Sequence, residues 1–334
     1  MPRVKRSGRV GACLLFVLAT CGSAHADPVY LRIATFNIAN FGATDEYERS
    51  LIGLVNIIRG ANADVLALQE VEPNARGSQQ VARLAKLLNK AADHYGTPQY
   101  EYVIPEERAG DECVAFFWRP PAALQSPPTL LAHHPDPDGN GVPVFQRVPT
   151  LAFFRAGNFD FMLLNCHLYT KVKGVTSEGR LEECETIAQW LHGIAEGHER
   201  DAVVVGDFNR FLNGKEPWRR FAALAREGKY RFPLLEAIRR EVPAFDPAES
   251  DPPDRRYSTN AGKKLTLYDQ IIVSAGVTQE LAKEPRFGED VGIVAFDESP
   301  HYEWFMGDWR SATAILSDHR PVWIRLRIDL PDDD

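Results

Sequence analysis

Cysteine is scarce, with five residues in a chain of 334. Two of them, Cys13 and Cys21, fall in the first 26 residues, which leaves Cys113, Cys166 and Cys184. An odd and small number is not a disulfide framework, and an exported chain of this kind can form one pair at most. Positive charge is also in deficit, with 38 Lys and Arg against 46 Asp and Glu. Such a chain does not hold polyanions by its overall field, so any recognition of phosphate must be local or metal-assisted. That weighs against a static nucleic-acid-binding module more than against an enzyme. Long apolar runs are missing as well: Val10 to Thr20 is too short to span a bilayer as a permanent helix, and no later stretch qualifies. There is no Cys-His spacing for zinc, no Gly-rich phosphate loop and no G-x-S-x-G elbow.

The first 26 residues read as a signal peptide. Arg3, Lys5, Arg6 and Arg9 precede the apolar run, and Ala24-His25-Ala26 gives small residues at the spacing of a signal-peptidase site. Cys21 after Leu18-Ala-Thr offers a lipoprotein-type cleavage instead, with Thr before the Cys as a poor fit. The leader holds four of the basic residues and none of the acids, so residues 27–334 carry a formal charge of −12. No composition shift splits them into two cores, and one domain with its core at about 30–328 is expected, secreted or periplasmic, and monomeric.

Tyr30-Leu-Arg-Ile-Ala-Thr-Phe-Asn37 alternates like a strand and ends at an amide. A helix is expected from Glu46 to Arg59, then a strand over Asp64-Val-Leu-Ala-Leu-Gln-Glu70 that is apolar enough for burial on both faces. A second helix spans Ser78 to Tyr95, and Glu112 to Trp118 is a strand. Pro127 to Pro149 reads as a surface excursion. Within it, Asp136, Asp138 and Asn140 have the odd-position oxygens of a calcium loop, but Arg147 stands at the twelfth position, where an EF-hand needs Glu, so a plain turn competes with a Ca²⁺ site. Strands at Asn158 to Leu168 and Ala202 to Phe208 flank a helix from about Arg180 to Glu196. Shorter helices follow at Trp218 to Glu227 and Leu234 to Arg240, with strands at Leu267 to Ser274 and Arg320 to Ile328.

Polar residues recur at the ends of these apolar strands: Asn37, Glu70, Glu112, His167, Asp207 with Asn209, Asp269, and Asp318 with His319. Asp207 and Asn209, two apart in Gly206-Asp-Phe-Asn209, should project together from a strand end, or else close an Asx turn. Each of the others has an innocent reading as a cap, a solvated end or a semi-buried histidine. Their recurrence is harder to dismiss. Acids and amides suit Mg²⁺, which prefers hard oxygen ligands, and histidines beside acids suit proton transfer.

In order along the chain stand Ala34-Thr-Phe-Asn37, Leu68-Gln-Glu70, Asn165-Cys-His167-Leu, Gly206-Asp-Phe-Asn209, Tyr268-Asp-Gln-Ile-Ile-Val273 and Ser317-Asp-His319-Arg-Pro. As a set these resemble the endonuclease/exonuclease/phosphatase superfamily, which includes deoxyribonuclease I, abasic-site endonucleases, neutral sphingomyelinases and inositol-polyphosphate 5-phosphatases. Glu112 to Pro120 also resembles the deoxyribonuclease I strand that carries an acidic partner for its first catalytic histidine. The resemblance implies an α/β fold, a four-layer sandwich of two packed mixed sheets with outer helices. It implies Glu70 as principal Mg²⁺ ligand (Mn²⁺ substituting), helped by Asp318 and Asn37. Asp207 and Asn209 would orient the attacking water and the phosphate, His167 and His319 would flank the scissile phosphate, and Glu112 and Asp269 would pair with His167 and His319 respectively. Arg180 matches a position that contacts substrate phosphate, with a solvated helix end as its plain alternative.

The leader, the Tyr268-Asp-Gln-Ile-Ile-Val segment and the Glu112–His167 pair that the resemblance implies favour a secreted nuclease acting on DNA or RNA. Lys171, Lys173, Arg210, Lys215, Arg219 and Arg220 could track a nucleic-acid backbone, or be ordinary surface charge. Tyr302-Glu-Trp304-Phe305-Met306-Gly-Asp-Trp309 resembles in place the aromatic hairpin that sphingomyelinases press into membranes, so a phospholipid phosphodiesterase or a phosphoinositide phosphatase is the alternative. A non-catalytic interaction module of the same fold comes last, because every matched position is intact.

Overall fold

The computed structural model describes residues 27–43, 50–107, 111–132, 144–168, 177–194, 200–209, 219, 222–223, 230–247, 250–253, 256–261, 264–298 and 315–331. The expected leader, the calcium loop at Asp136 to Asn140, the aromatic run Tyr302 to Trp309 and most of the helix expected at Trp218 to Glu227 lie outside these residues.

The first sheet has six strands. Its centre is β1 (Tyr30–Phe41) beside parallel β2 (Val65–Val71); β15 (Val322–Arg327) and β14 (Val291–Ile293) extend one side, β4 (Cys113–Trp118) and β3 (Glu101–Val103) the other. The second sheet runs β10 (Tyr230–Arg231), β13 (Asp269–Ser274), β9 (Ala202–Asp207), β8 (Phe159–His167), β7 (Thr150–Ala156) and β5 (Ala122–Leu124), with β6 (Thr129–Leu130) also on β7. A separate hairpin joins β11 (Thr259–Ala261) to β12 (Lys264–Thr266). Both large sheets mix parallel and antiparallel pairs.

Side-chain alternation builds the layers. On β1, Leu31 and Ile33 pack into the cluster shared with the second sheet, whereas Ala34, Phe36 and Ile38 pack into the cluster that holds the helices α1 (Leu51–Ala61) and α2 (Ala75–Tyr95). The second sheet is covered on its far side by Cys184, Ile187 and Leu191 of α3 (Ser177–Ile194) and by Leu234, Leu235 and Ile238 of α4 (Pro233–Glu241). The result is the expected order of helices, sheet, sheet, helices. Cys113, Cys166 and Cys184 are buried thiols, with no disulfide among the described residues.

Element ends move where a cap decides them. The Asn74 side chain accepts from Gly77 N–H, so α2 begins three residues before the expected Ser78, and Ser50 caps α1 through Gly53 N–H. Strand β7, which the sequence reading does not place, alternates buried and more exposed positions directly after Pro149, where the expected excursion ends. Gly206 is the glycine that β9 cannot replace. Its φ is +137°, and a Cβ there would lie 1.8 Å from the Cys166 carbonyl oxygen on β8.

Candidate active site

Strand ends from both sheets meet at Asp207. Asn37, buried on β1, donates from Nδ2 to Glu70 Oε1 at 2.8 Å and to Asp207 Oδ2 at 2.9 Å, while its Oδ1 accepts from Ala39 N–H. One amide therefore ties a carboxylate of the first sheet to a carboxylate of the second. As placed, Asn37 turns its donors rather than its oxygen towards the acids.

Glu70 reaches this point because the backbone breaks its alternation. It has φ +60°, and Ala39 and Asn40 opposite it have φ +53° and +51°. Left-handed backbone costs a non-glycine residue about 1–2 kcal/mol, so three such residues side by side mark a strained, built feature. The register between β1 and β2 shifts after Asn37, and that between β2 and β4 shifts after Leu68. The distortion presents Asn40 N–H to Glu70 Oε2 at 2.9 Å.

Two carboxylate–imidazole pairs flank Asp207. His167 Nδ1 lies 2.6 Å from Glu112 Oε2, and His319 Nδ1 lies 2.8 Å from Asp269 Oδ2. With Nδ1 held in each ring, Nε2 turns inward, at 3.5 Å (His167) and 3.6 Å (His319) from the same Asp207 Oδ2. His167 Nε2 is also 3.9 Å from Glu70 Oε1, and His319 Nε2 is 3.9 Å from Asp318 Oδ1. Burial alone would pull both ring pKa values down. For His167 the hydrogen bond to Glu112 and the charge of Asp207 outweigh it and raise the value. For His319 the charges of Asp269 and Asp207 raise it well above the ordinary range. Both shifts favour the protonated ring, the state suited to stabilising charge on a phosphoryl oxygen.

Asp207 and Asn209 do not simply share a face. The strand ends at Asp207, Asn209 takes φ +49°, and its N–H returns to Asp207 Oδ1 at 2.7 Å, closing the Asx turn. Turn and site are one structure: Oδ1 fixes the backbone, and Oδ2 faces the histidines. Asn209 Nδ2 donates to Leu168 O at 2.7 Å. Asp269 is completely buried, accepts from Thr259 Oγ1 at 2.9 Å, and its own N–H donates to Ser258 Oγ. Ser317 accepts from His319 N–H and donates to Asn37 O, so the segment carrying Asp318 and His319 is pinned to β1. The Arg180 side chain and the basic residues Lys171, Lys173, Arg210, Lys215 and Arg220 lie outside the described residues, and Arg219 is exposed.

Arg147 joins the site without having been expected there. Its guanidinium holds Glu112 Oε1 at 2.7 Å and Asp111 at 3.1 Å, and Nη1 is 3.5 Å from His167 Nε2. It precedes β7, whose Thr150 lies opposite Asn165 on β8, so only the strand register brings it to His167. A cleft opens there, walled by Pro105, Val114, Leu130 and Val148.

The donor set fits a hard divalent cation. Glu70, Glu112 and His167 form one cluster, and Asp207, Asp269 and His319 another, each with ligating atoms within 4.8 Å of one another. Because Glu112 and Asp269 are engaged with their histidines, the oxygens left facing the site are those of Glu70, Asp207 and Asp318. Glu70 and Asp318 are partly solvent-exposed, as suits an ion that keeps several waters. Glu72 nearby is raised by burial and by the charges of Glu112, Glu70 and Asp111, which reports the negative potential that a cation would neutralise.

A family model described as the Endonuclease/Exonuclease/phosphatase family matches residues 34–319. No curated protein gives a sequence match. Among solved structures, an endonuclease/exonuclease/phosphatase family protein from Bacteroides thetaiotaomicron is 17% identical, with TM-score 0.55, covering 91% of this chain and 96% of its own. Truncated TDP2 from Caenorhabditis elegans is 14% identical, with TM-score 0.53, covering 89% and 97%. A mannosyl-6-phosphatase from Bacteroides thetaiotaomicron is 17% identical, with TM-score 0.51, covering 89% and 99%. At these identities the likeness is one of fold. The family match takes in every strand end that meets at Asp207, from Asn37 to His319, and the chain belongs to the endonuclease/exonuclease/phosphatase family.

Proposed function

We propose that this chain is an exported, metal-dependent phosphodiester hydrolase, an endonuclease that cleaves DNA or RNA by in-line attack of water on phosphorus. The observation that carries the reading is the pair of carboxylate-backed imidazoles whose Nε2 atoms converge on one Asp207 oxygen, at 3.5 and 3.6 Å. An attack on phosphorus builds negative charge on the equatorial oxygens, and two imidazolium donors placed beforehand stabilise it without reorganisation. Glu70, with Asp318, would hold Mg²⁺, which supplies Lewis-acid polarisation of the phosphoryl group. Asp207, kept in place by Asn37 and the Asn209 N–H, orients the attacking water and takes its proton as the bond to phosphorus forms. One histidine gives the departing oxygen its proton, and Glu112 or Asp269 behind it fixes the tautomer.

The contact between Glu112 and His167 at 2.6 Å supports the deoxyribonuclease-type reading over the phospholipid one, because that pairing is what the strand from Glu112 resembles. The intact constellation speaks against a non-catalytic module. Residues 1–26 support export, with a periplasmic or extracellular destination.

A hydrolysis panel tests the substrate: plasmid DNA, RNA, sphingomyelin, inositol phosphates and mannose 6-phosphate, with Mg²⁺, on wild type and His167→Ala. Plasmid nicking that is lost in His167→Ala is expected. Turnover of sphingomyelin alone would move the protein to the phospholipid alternative.

A further inference from the structure

We propose that Thr35, Gln69 and Asn165 form a buried polar spacer that sets the register between the two halves of the site. Glu70 and Asn37 stand on the first sheet, His167 and Asp207 on the second, so catalysis depends on how the sheets sit against each other. Across the interior, Gln69 Nε2 donates to Thr35 Oγ1 at 2.9 Å within its own sheet and to Asn165 Oδ1 at 2.7 Å on the other. Asn165 Nδ2 returns a hydrogen bond to Leu68 O at 3.1 Å. All three side chains are completely buried.

Their places along the strands give the bridge its meaning. Thr35 lies two residues before Asn37 and Asn165 two before His167, so each shares a strand face with a site residue, one step deeper. Gln69 immediately precedes Glu70. The surrounding interior is apolar, with Ile33, Ala67 and Leu163 in the same core. Hydrophobic contact there would hold the sheets together but is non-directional, so it does not fix how far one slides over the other. Hydrogen bonds of fixed length and angle do. Among the described residues Gln69 Oε1 has no hydrogen-bond partner, a cost the set carries, and replacing such buried polar groups by apolar ones of similar shape is often neutral or stabilising, so stability does not account for this one.

The inference rests on the reading of the site as a phosphodiesterase, and its test separates the two. The variant is Thr35→Val with Gln69→Leu and Asn165→Leu, compared with wild type by thermal midpoint, crystal structure and Mn²⁺-supported hydrolysis of bis-p-nitrophenyl phosphate. The spacer predicts a folded variant in which Glu70 Oε1 and His167 Nε2, 3.9 Å apart in the wild type, separate by about 1 Å, with kcat lower by about 100-fold. KM should stay within about twofold, because the loss is in transition-state geometry rather than uniform binding. If the triple variant does not fold, Gln69→Met, which keeps the volume and removes the cross-sheet donor, is read for the same quantities. An unchanged separation overturns the spacer, whatever happens to the rate. A changed separation in a protein whose wild type hydrolyses no phosphoester upholds the spacer and sinks the phosphodiesterase reading.

Discussion

Replacing Asp269 by Asn tests whether a residue that never touches substrate governs the rate. Asp269 is completely buried, 2.8 Å from His319 Nδ1, and accepts from Thr259 Oγ1. Asparagine has the same shape. With its carbonyl in the place of Oδ2, which serves both His319 Nδ1 and Thr259 Oγ1, asparagine keeps both contacts, and its amide takes the place of Oδ1, 3.1 Å from His319 Nδ1, a cost that the thermal midpoint reads separately from kcat. What is lost is the negative charge behind the imidazolium. A hydrogen bond to a charged group contributes about 1.5–3 kcal/mol. Each 1.4 kcal/mol or so is a factor of ten in rate, so kcat should fall by about 10- to 150-fold. KM should move little, since the interaction strengthens only as charge builds on phosphorus. The assay is steady-state hydrolysis of bis-p-nitrophenyl phosphate alongside the thermal midpoint. A variant with wild-type kcat would refute the reasoning, and a raised KM at unchanged kcat would move Asp269 to a ground-state role.

Two further predictions concern the scaffold. Gly206→Ala places a Cβ against the Cys166 carbonyl, which belongs to a strand and cannot move aside, at a φ that alanine resists. A loss of more than about 3 kcal/mol in denaturant unfolding is expected, and a near-neutral result would contradict the close approach of β8 and β9. Tyr100 is pushed up to about 12 by burial, against the lowering effect of Arg119, and its hydroxyl donates to Ala63 O at 2.5 Å. Its pKa is thus higher folded than the unfolded value of about 10, so its contribution is present below pH 10 and lost as pH rises towards 12. The stability gap between wild type and Tyr100→Phe should therefore shrink across that window, and a gap independent of pH would show that Tyr100 ionises equally in both states.

Much of the site was legible because its chemistry sits at strand ends. Asn37, Glu70, His167 and Asp207 each close an apolar run and Asp269 opens one, and the sheets bring them together. Arg147 was not legible: its link to Glu112 depends on β7 pairing with β8, and the Pro-rich stretch before it reads as a plain loop. Nor was the course of Glu70, which strand alternation sends away from the face of Gln69 and only a left-handed residue brings back. The layers followed from periodicity, since Leu31 and Ile33 against Ala34 and Phe36 already separate two faces. Helix starts depended on caps: Asn74 precedes no apolar residue of the α2 stripe until Val81, so the stripe alone places the start too late.

The central claim is that a cation held at Glu70 and the histidines flanking Asp207 act on the same phosphodiester. It is tested most directly by stripping the protein with EDTA, restoring Mg²⁺ in steps, and following plasmid nicking by wild type and Glu70→Ala. No nicking is expected after stripping, with recovery on Mg²⁺ addition in the wild type and little recovery in Glu70→Ala at the same concentrations. Nicking that survives EDTA, or a Glu70→Ala protein with the wild-type Mg²⁺ dependence, would contradict the claim.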